Sequence, residues 1–479
     1  MNAATQMQPT PSGEVAAMQQ TFERQRQEFA KHSYPSLSER KNALSLLKLT
    51  LLEQQDALIN ALSRDYGHRS ADDSRISDIM PVVNHINYTL SNLKRWAKPS
   101  RRHAGILLAP ASVNVTYQPK GVVGIIVPWN FPVMLSLGPL VTAIAAGNSA
   151  MLKMSEFTPE TNKVIKSLLA KTFAEKKVAV IEGEADVAAA FSSLPFDHLL
   201  FTGSTAVGKH VMRAASANLT PVTLELGGKS PVIVAPDMDM DTAVERMIYG
   251  KCLNAGQICV APDYVLVPRG KEDAFIKAYQ DKFAALYGKV ETNKDYGAII
   301  NERQWQRLMQ VLDDAKAQGA NVHSASGEPP LGTLRKLPTQ LLTQVTDEML
   351  VMQDEIFGPL LPVVPYDSLD EALSYINARP RPLALYLMSF DTATQDKVLS
   401  STHSGGVCIN ETVFHVAADD APFGGIGPSG MGHYHGEEGF RTFSHAKTVL
   451  KRGRLNTGKL VHPPYGNAIQ TLLMKVFLR

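Results

Sequence analysis

Apolar and polar positions alternate along this chain in patterns that change from one region to the next. From Val15 to about Leu62 the apolar residues recur with helical spacing between polar faces, which predicts that the chain opens with helices. The β-branched run at residues 122–127 predicts a strand. The apolar window at residues 133–146 predicts a helix, and Gly147 after it is a suitable C-cap.

Short apolar runs and helical windows then alternate regularly. Strands are predicted at residues 150–153, 178–181, 198–201 and 222–226, with helices between them at residues 159–173, 185–191 and 206–215. This alternation predicts a doubly wound parallel α/β sheet. Because such sheets bind ligands beyond the carboxyl ends of their strands, functional side chains are expected in the loops that follow the strands.

A second alternation follows and predicts a second α/β domain. Its strands are predicted at residues 232–234, 264–267, 298–300, 361–364 and 407–409, and the glycine-rich segment 422–432 is predicted to close it. A β-like stretch at residues 448–452 is expected to return to the first domain or to reach a partner subunit.

The charge balance limits the classes of partner. The chain has 48 Lys and Arg residues against 46 Asp and Glu residues, a net charge of +2. A nucleic-acid or membrane-surface protein would normally carry a basic surplus, so neither partner is expected. The longest apolar window, residues 133–146, is shorter than the ~20 apolar residues that span a bilayer, and a soluble protein is expected.

Both ends of the chain are expected to be peripheral. Residues 1–20 have neither the charged nor the apolar region of a signal peptide and are predicted to form a flexible tail. The C-terminal tail, residues 457–479, ends in a short apolar stretch. We interpret that stretch, residues 469–479, as a packing segment rather than a membrane anchor.

The chain has three cysteines, Cys252, Cys259 and Cys408. This odd and sparse set excludes a disulfide framework and indicates a reducing compartment, which we take to be the cytoplasm. A lone cysteine is more often a small buried side chain than a nucleophile, and this is our interpretation of Cys252 and Cys408. Cys259 follows small residues, which let a ligand approach its side chain. The residues around it do not have the spacing of metal ligands, so Cys259 remains a candidate for a catalytic thiol.

Two polar residues lie at or after the ends of predicted strands. Glu225 lies at the end of an apolar strand, where burying a carboxylate costs free energy unless the group has a partner or a function. Desolvation there would raise the pKa of Glu225 toward the range of a general base. A turn contact is the alternative. Prolines flank the loop of Asn130, so its side-chain amide is expected to be held rigidly toward a developing oxyanion.

Two loops are candidates for binding a nucleotide. Residues 201–208 follow a strand and open a helix, where Gly203 allows a tight turn and the helix N-terminus offers amides to a phosphate. Thr205 occupies a position where the strict dinucleotide-binding pattern has glycine. An ordinary strand-to-helix turn is therefore an equally good interpretation of this loop. Lys153 and Glu156 follow another strand, where they could hold a ribose or form a solvated pair.

A series of motifs is more specific than any of them alone. It comprises PWNFP (128–132), FTGST (201–205), ELGGKSP (225–231), GQIC (256–259), EIFGP (355–359) and PFGG (422–425) with Ser429-Gly430. In this order the series resembles that of the aldehyde dehydrogenase superfamily, over roughly residues 118–443. Residues 153–156 and 257–263 resemble its class 3 branch. Residues 197–203 and 433–445 are most similar to the bacterial members of that branch that act on coniferaldehyde.

The resemblance implies a reaction at Cys259. Its thiolate would attack an aldehyde, the Asn130 amide and the Cys259 backbone N–H would hold the oxyanion, and Glu225 would activate water to hydrolyse the resulting thioester. The implied substrate is coniferaldehyde or a related aromatic phenylpropenal. Medium- or long-chain aliphatic aldehydes are the alternative, and no metal is implied.

The resemblance also implies NAD as the cofactor, with NADP possible. The implied contacts are Lys153 and Glu156 with the adenosine ribose, Gly203 and Ser204 with the pyrophosphate, Glu355 with the nicotinamide ribose and Phe357 near the nicotinamide ring. Asn410 would support the site. Met154 stands where the family usually has proline, and we expect it to loosen that turn.

The implied fold is α/β: a Rossmann-like doubly wound parallel sheet, a second α/β domain and a small β element for bridging and oligomerisation. The cofactor domain is assigned to residues 21–105 and 120–224, the catalytic domain to residues 225–412, and the bridging element to residues 106–119 and 440–456. A homodimer is implied. Residues 414–420 would form the substrate entrance, although their sequence does not decide between aromatic and aliphatic substrates.

Two alternatives to this interpretation stay open. A CoA-acylating dehydrogenase or a cysteine esterase would share the nucleophile, although the acylating type is not expected to keep a glutamate at position 225. A catalytically silent binding or structural protein on the same fold is the alternative from another class. The presence of Cys259 argues against it.

Overall fold

The computed structural model describes residues 13–478, apart from the side chain of Leu107. Within this range the chain forms two mainly parallel β-sheets and a three-stranded antiparallel sheet. The predicted flexible tail is wrong for residues 13–20, because helix α1 (Gly13–Lys31) begins there and packs Met18 against the first sheet. Residues 1–12 of that predicted tail lie outside the described residues.

The strands of the three sheets are numbered in chain order. They are β1 (Ser100–Arg102), β2 (Ser112–Pro119), β3 (Val122–Ile126), β4 (Ser149–Lys153), β5 (Val178–Ile181), β6 (His198–Thr202), β7 (Val222–Glu225), β8 (Pro231–Val234), β9 (Tyr264–Pro268), β10 (Asn321–Ser324), β11 (Gln340–Thr343), β12 (Leu360–Tyr366), β13 (Ala384–Met388), β14 (Gly406–Ile409), β15 (Gly430–Met431) and β16 (Ser444–Lys451).

Sixteen helices of the described residues follow α1, and most of them pack on the sheets. They are α2 (Leu37–Glu53), α3 (Gln55–Tyr66), α4 (Ala71–Ser74), α5 (Met80–Trp96), α6 (Met134–Ala146), α7 (Pro159–Thr172), α8 (Ala185–Ser192), α9 (Thr205–Ser216), α10 (Met240–Cys252), α11 (Glu272–Leu286), α12 (Glu302–Ala317), α13 (Leu350–Gln353), α14 (Leu369–Asn377), α15 (Thr392–Ser401), α16 (Gly436–Thr442) and α17 (Ala468–Phe477).

The first sheet has the strand order β15-β7-β6-β3-β4-β5, with β15 antiparallel and the other strands parallel. All five residues of β3 are buried, as expected of a strand covered on both faces. Val123 and Ile125 join the apolar cluster on one face, while Val122 and Ile126 join the cluster on the other. The predicted doubly wound sheet is therefore confirmed, as is the C-cap at Gly147, whose φ of 99° is left-handed.

The order of the strands creates a crevice in this sheet. The chain adds β4 and β5 on one side of β3, and then β6 and β7 on the other side. The carboxyl ends of β3 and β6 therefore flank a position at which open α/β sheets bind ligands. Asn130 follows β3, Gly203 and Ser204 follow β6, and Glu225 ends β7.

The second sheet has the strand order β10-β11-β12-β9-β8-β13-β14, with only β10 antiparallel among these strands. Its strands and helices share one large apolar cluster, which includes Cys252 and Cys408. Both cysteines are buried, as the sequence predicts for them. The sequence pattern does not predict strands β10, β11 and β13.

Two predictions for the second alternation are wrong. Residues 298–300 are buried but not a strand, because their backbone amides bond irregularly, Ala298 to the His68 oxygen and Ile299 to the Arg335 oxygen. The glycine-rich segment 422–432 does not close the second sheet. Its strand β15 pairs with β7 and so completes the first sheet beside Glu225.

The third sheet has the order β1-β2-β16. The predicted β-like stretch at residues 448–452 falls largely within β16, which pairs with β2 from Ser444 to Lys451. This sheet joins the chain before β3 to the chain after α16. Strand β16 lies at its edge, and its residues after Ser444 are exposed.

The C-terminal apolar segment does not pack as predicted. In α17 only Gln470 is buried, while Ile469, Leu472 and Phe477 are exposed, because the helix contacts little beyond the adjacent turn at Thr457–Val461. Among residues 13–478 no helix is both long enough and apolar enough to cross a membrane.

Candidate active site

Cys259 lies in a loop with an unusual backbone. The loop follows α10, and the residues that lead into it, Asn254, Ala255 and Gly256, have φ values of 50°, 53° and 72°. Residues other than glycine rarely adopt this left-handed conformation, so the surrounding contacts must hold it in place. Gly256 is required here because a Cβ would lie 2.6 Å from the carbonyl oxygen of Gly358.

The side chain of Gln257 holds this loop from within. Its amide nitrogen donates to the Asn254 and Ala298 oxygens at 2.8 and 3.1 Å, and its amide oxygen accepts from the Ile300 N–H at 3.0 Å. The buried segment 298–300, which the sequence pattern wrongly assigns to a strand, therefore positions the loop of Cys259.

Asn130 lies beside the same loop. Its buried side-chain amide donates to the Gln257 carbonyl oxygen at 3.3 Å, two residues before Cys259. Its own carbonyl oxygen accepts hydrogen bonds from the Tyr66 hydroxyl and an Arg69 nitrogen, both at 2.9 Å. The rigid position expected for Asn130 thus has a structural basis beyond the neighbouring prolines.

A buried ion pair supports Asn130 from behind. Arg69 lies 2.8 Å from Asp78, with both side chains almost completely buried. Asp78 also accepts the backbone N–H groups of Val133 and Met134 at 3.1 and 3.0 Å. Sequence reasoning missed Tyr66, Arg69 and Asp78, and no local motif marks them.

Glu225 ends β7 with its side chain buried and both carboxyl oxygens without a hydrogen-bond partner in the described chain. Burial raises the pKa of this carboxyl well above its usual range. Burial also raises the pKa of the Cys259 thiol to about 12, with further contributions from the charges of Glu355 and Glu225. The structure therefore brings the two carboxyls within electrostatic reach of the thiol, and all three groups favour their protonated forms.

Glu355 and Phe357 line the other side of this region. The Glu355 carboxylate lies against Gly227, where it occupies the space that any Cβ would take. Burial, reinforced by Asp263, raises the pKa of Glu355 to about 8. Phe357 has a φ of 47° and packs edge-on against Trp129, with 5.1 Å between the ring centroids.

Three charged residues that sequence reasoning missed hold this segment. Lys229 pairs with Asp263 and donates to the carbonyl oxygen of Asp354 at 2.9 Å. Asp263 accepts the Ile356 N–H at 2.9 Å, and Arg307 donates to the Ile356 oxygen at 2.7 Å. The residues on either side of Glu355 are therefore fixed by charge-assisted hydrogen bonds.

Lys153 and Glu156 lie one strand farther away, at the end of β4. The Lys153 ammonium is buried and donates to the Met154 oxygen at 2.8 Å, and burial lowers its pKa. Glu156 is exposed. Met154 does not loosen the turn as expected, because its N–H, which a proline would lack, donates to the Ile181 oxygen at 3.0 Å.

Gly203 and Ser204 form the turn between β6 and α9. The Gly203 N–H donates to the Glu225 carbonyl oxygen at 3.0 Å, so this turn lies directly beside the end of β7. Ser204 is the N-cap of α9, a helix of 12 residues, and accepts the Val207 N–H. The helix N-terminus faces the crevice side of the sheet, where its amides can meet an anion.

The other predicted residues make contacts with different parts of the second sheet and the helices packed on it. Cys408 lies 3.1 Å from Nδ1 of His415, and Cys252 contacts the Tyr279 hydroxyl. Asn410, at a φ of 58°, exchanges two side-chain hydrogen bonds of 2.8 Å with the backbone of Ser389 and so ties β14 to β13.

The predicted entrance loop is fastened to helix α5. Asp419 lies 3.4 Å from Nδ1 of His85, and Asp420 accepts from the Tyr88 hydroxyl. Phe414 is half exposed and stacks on Tyr249, with 5.8 Å between the ring centroids. The loop therefore presents aromatic surface beside fixed carboxylates.

The crevice offers the groups that a dinucleotide needs. A buried ammonium at Lys153, a helix N-terminus after Ser204 and close-approach glycine at Gly227 lie along the strand ends of the first sheet. Oε1 of Glu355 is buried without a partner in the described chain, which suits it to accept from a ligand hydroxyl. The residues therefore fit a dinucleotide. Among residues 13–478 no group of three or more His, Cys, Asp or Glu side chains is placed to hold a metal ion.

Comparison with known proteins identifies the relatives of this chain. The sequence profile of the aldehyde dehydrogenase family matches residues 3–449. A probable coniferyl aldehyde dehydrogenase of Pseudomonas aeruginosa is 54% identical over 466 residues, which cover 97% of each protein. A coniferyl aldehyde dehydrogenase of a Pseudomonas species is 46% identical, over 88% of each protein.

Solved structures of similar fold agree with this assignment. A substrate-bound aldehyde dehydrogenase of Staphylococcus aureus superposes with a TM-score of 0.92 at 38% identity, over 96% of this chain and 99% of that one. An aldehyde dehydrogenase of Mycobacterium tuberculosis in complex with NAD⁺ superposes with a TM-score of 0.84 at 28% identity, over 94% and 92% of the two chains.

Proposed function

Since the chain belongs to the aldehyde dehydrogenase family and is an NAD(P)-dependent aldehyde oxidoreductase, we propose that it oxidises coniferaldehyde or a related phenylpropenal to the acid through a thioester on Cys259. The observation that carries the proposed mechanism is the convergence of Asn130, Glu225 and Glu355 on the Cys259 loop. The fixed amide and the unpartnered carboxyls suit different steps of one reaction.

Cys259 forms the bond to the substrate. Its thiol, with a pKa of about 12, must lose its proton before the sulfur attacks the aldehyde carbon. The attack produces a thiohemiacetal, whose oxyanion is stabilised by the Asn130 side-chain amide and the Cys259 backbone N–H. The hydrogen bonds on the Asn130 carbonyl oxygen keep that amide in place while the charge develops.

Glu225 completes the cycle. It takes a proton from the water that attacks the thioester; the C–S bond then breaks, the carboxylic acid leaves and Cys259 is released as the thiolate. Because the pKa of Glu225 is raised, its carboxylate is a strong proton acceptor once formed. This step requires that the carboxyl first lose the proton it holds in the resting protein.

Residues along the crevice hold the cofactor. We assign Lys153 and Glu156 to the adenosine ribose, Gly203 and Ser204 to the pyrophosphate, Glu355 to the nicotinamide ribose and Phe357 to packing near the nicotinamide. NAD(P)⁺, when bound, supplies the hydride acceptor for conversion of the thiohemiacetal to the thioester. The exposed carboxylate of Glu156 favours NAD over NADP, because a 2′-phosphate would be repelled.

The aromatic substrate is supported by the relatives and by the entrance. Two relatives that cover most of the chain are named for coniferaldehyde. At the entrance, Phe414 stacks on Tyr249, and close to it in the chain Phe423 stacks on His435, which gives flat apolar surfaces for an aromatic ring. Medium- and long-chain aliphatic aldehydes stay the alternative.

We further propose a homodimer that works in the reducing cytoplasm. Strand β16 is an exposed edge with unpaired backbone groups along one side, a surface that proteins commonly cover by association. A reducing compartment would keep the Cys259 thiol available. Size-exclusion chromatography with light scattering tests the dimer, and a monomer at micromolar concentration would contradict it.

One experiment tests the reaction and the substrate together. Formation of reduced cofactor is followed with coniferaldehyde, benzaldehydes and medium-chain alkanals, each with NAD and with NADP. We expect the highest kcat/KM with coniferaldehyde and NAD, and no activity in Cys259→Ala, whereas the buried Cys252→Ala control stays active. Higher efficiency with alkanals would favour the aliphatic alternative, and activity in Cys259→Ala would overturn the mechanism.

A further inference from the structure

Gly424 separates two buried polar atoms near the end of β7. A Cβ on this glycine would lie 2.7 Å from Nδ1 of His433 and 3.3 Å from Oε1 of Glu225. The two atoms therefore face the same small space and are at most about 6 Å apart, the sum of those distances. A side chain cannot fill the space, because the Cβ would also overlap the backbone oxygen of Gly432.

Neither atom has a hydrogen-bond partner in the described chain. Nδ1 of His433 and both carboxyl oxygens of Glu225 are buried and unpaired. Buried polar atoms are usually satisfied, and a pair of unpaired ones facing each other indicates a function. A distance of this size is one that a bridging water molecule can cover, and carboxyls and imidazoles exchange protons through such a water.

His433 is less enclosed than Glu225. Its Nδ1 atom is buried, but the residue as a whole is partly exposed. An imidazole can take a proton at one nitrogen and release one from the other. Glu225, in contrast, is enclosed on all sides.

The neighbouring histidines do not offer the same route. Nδ1 of His415 bonds to the Cys408 thiol, and Nε2 of His85 lies 3.0 Å from the Thr142 hydroxyl. His435 is fully buried, and burial, with the positive charges that His85, His415 and His433 can carry, lowers its pKa to about 3. The carboxylates that face this group are Asp419, which pairs with His85, and Asp420, which pairs with Tyr88.

We propose that His433 relays protons between Glu225 and solvent during thioester hydrolysis, an inference that rests on the proposed role of Glu225. The Glu225 carboxyl gives its proton, directly or through one water, to Nδ1 of His433, and the imidazolium releases a proton from Nε2 to solvent. The resulting carboxylate takes a proton from the attacking water. After each turnover the proton leaves by the same route, which restores Glu225 for the next cycle.

The test uses p-nitrophenyl acetate, which acylates Cys259 without any cofactor and releases p-nitrophenolate. Acylation appears as a burst, and hydrolysis of the acyl-enzyme sets the steady-state rate. In His433→Ala we expect an unchanged burst and a steady-state rate lowered by about 10²-fold, the lower end of what a positioned proton-transfer group contributes. Added imidazole should restore the rate with a pH dependence that follows the free base. His103→Gln, at an exposed position, should match the wild type.

The outcomes separate this relay from the proposed function. An unchanged steady-state rate in His433→Ala, or a lowered rate that imidazole does not restore, would overturn the relay. His433→Gln, which keeps the size of the side chain, should show the same lowered rate, and wild-type hydrolysis in that variant would also overturn it. If Glu225→Gln hydrolysed the acyl-enzyme normally, the role of Glu225 itself would be wrong. If only the Glu225 variant is slow, the relay alone fails.

Discussion

The two sides of Cys259 differ in how their polar groups are partnered. On the Asn130 side, the carbonyl oxygen of Asn130 accepts from Tyr66 and Arg69, and Gln257 uses both ends of its amide. The groups touching the Cys259 loop are therefore held, although Nε of Arg69 and Oδ1 of Asn254 also lack partners in the described chain. On the other side, atoms of Glu225, Glu355 and His433 are buried without partners in the described chain. An unsatisfied buried polar group costs about 1–3 kcal/mol.

This contrast indicates that the two sides of Cys259 have different roles in the reaction. The partnered side is rigid and suits a group whose position must not change, such as an oxyanion donor. The unpartnered side keeps free lone pairs and nitrogens, which suits groups that exchange protons or bind a ligand hydroxyl. Substitutions on the two sides should therefore have different signatures.

The largest effect is expected on the unpartnered side. Glu225→Gln keeps the size of the side chain but removes the proton acceptor, so steady-state turnover should fall by about 10²–10⁴-fold while the burst of reduced cofactor remains. Stopped-flow absorbance measures both phases, with the exposed Glu291→Gln as the control. Loss of the burst as well would show that Glu225 acts already on the Cys259 thiol.

On the partnered side, Asn130→Ala removes the proposed oxyanion donor. We expect kcat to fall by about 10²–10³-fold in both the burst and the steady state, because the amide acts before the thioester forms. The exposed Asn218→Ala serves as the control. A burst of normal rate in Asn130→Ala would remove this residue from the reaction.

The buried ion pair between Arg69 and Asp78, which supports Asn130, can be removed without changing Asn130 itself. Arg69→Met leaves Asp78 buried without its partner, and we expect unfolding in urea to require about 3–5 kcal/mol less free energy. Arg24→Met breaks an exposed ion pair with Glu175 and should change stability by about 0–1 kcal/mol. Equal losses in the two variants would mean that the buried pair does not stabilise this side.

The last prediction concerns pH. The pKa of Glu355 is about 8 in the folded protein against an ordinary value of 4.5, so its contribution to stability is complete below pH 4.5 and is lost as the pH rises through 8. Glu355→Gln cannot ionise and should lose less stability than the wild type between pH 5 and 9. Melting temperatures across this range test the difference, with the exposed Glu348→Gln as the control. Parallel curves for all three proteins would contradict the raised pKa.

The first sheet was predictable because its strands are covered on both faces. Burial on both sides makes β3, β4 and β6 continuous apolar runs, which local pattern reveals. The same kind of apolar run led to the wrong prediction of a strand at residues 298–300. These residues are buried, but their backbone is irregular and forms hydrogen bonds with the side chain of Gln257. Strand β10 was missed because its edge position leaves it polar and partly exposed, whereas β13 was missed although all five of its residues are buried.

Local motifs led to Cys259, Glu225 and Asn130, but not to the residues that position them. Arg69 reaches Asn130 across 61 positions of the chain, and Lys229 reaches Asp354 across 125. Such contacts leave no periodic or local trace in a single sequence. His433 likewise becomes informative only when the fold brings Gly424 and Glu225 beside it.

The pairing of β15 with β7 also bears on how the protein is made. Gly430 pairs with Glu225, so β7 remains an open edge until about nine-tenths of the 479 residues have left the ribosome. A contact between residues so far apart in the sequence forms slowly. Until it forms, the unpaired edge of β7 can pair with strands of other chains. Nascent chains arrested before residue 430 should therefore bind holdase chaperones through the first sheet, and release them once β15 is in place.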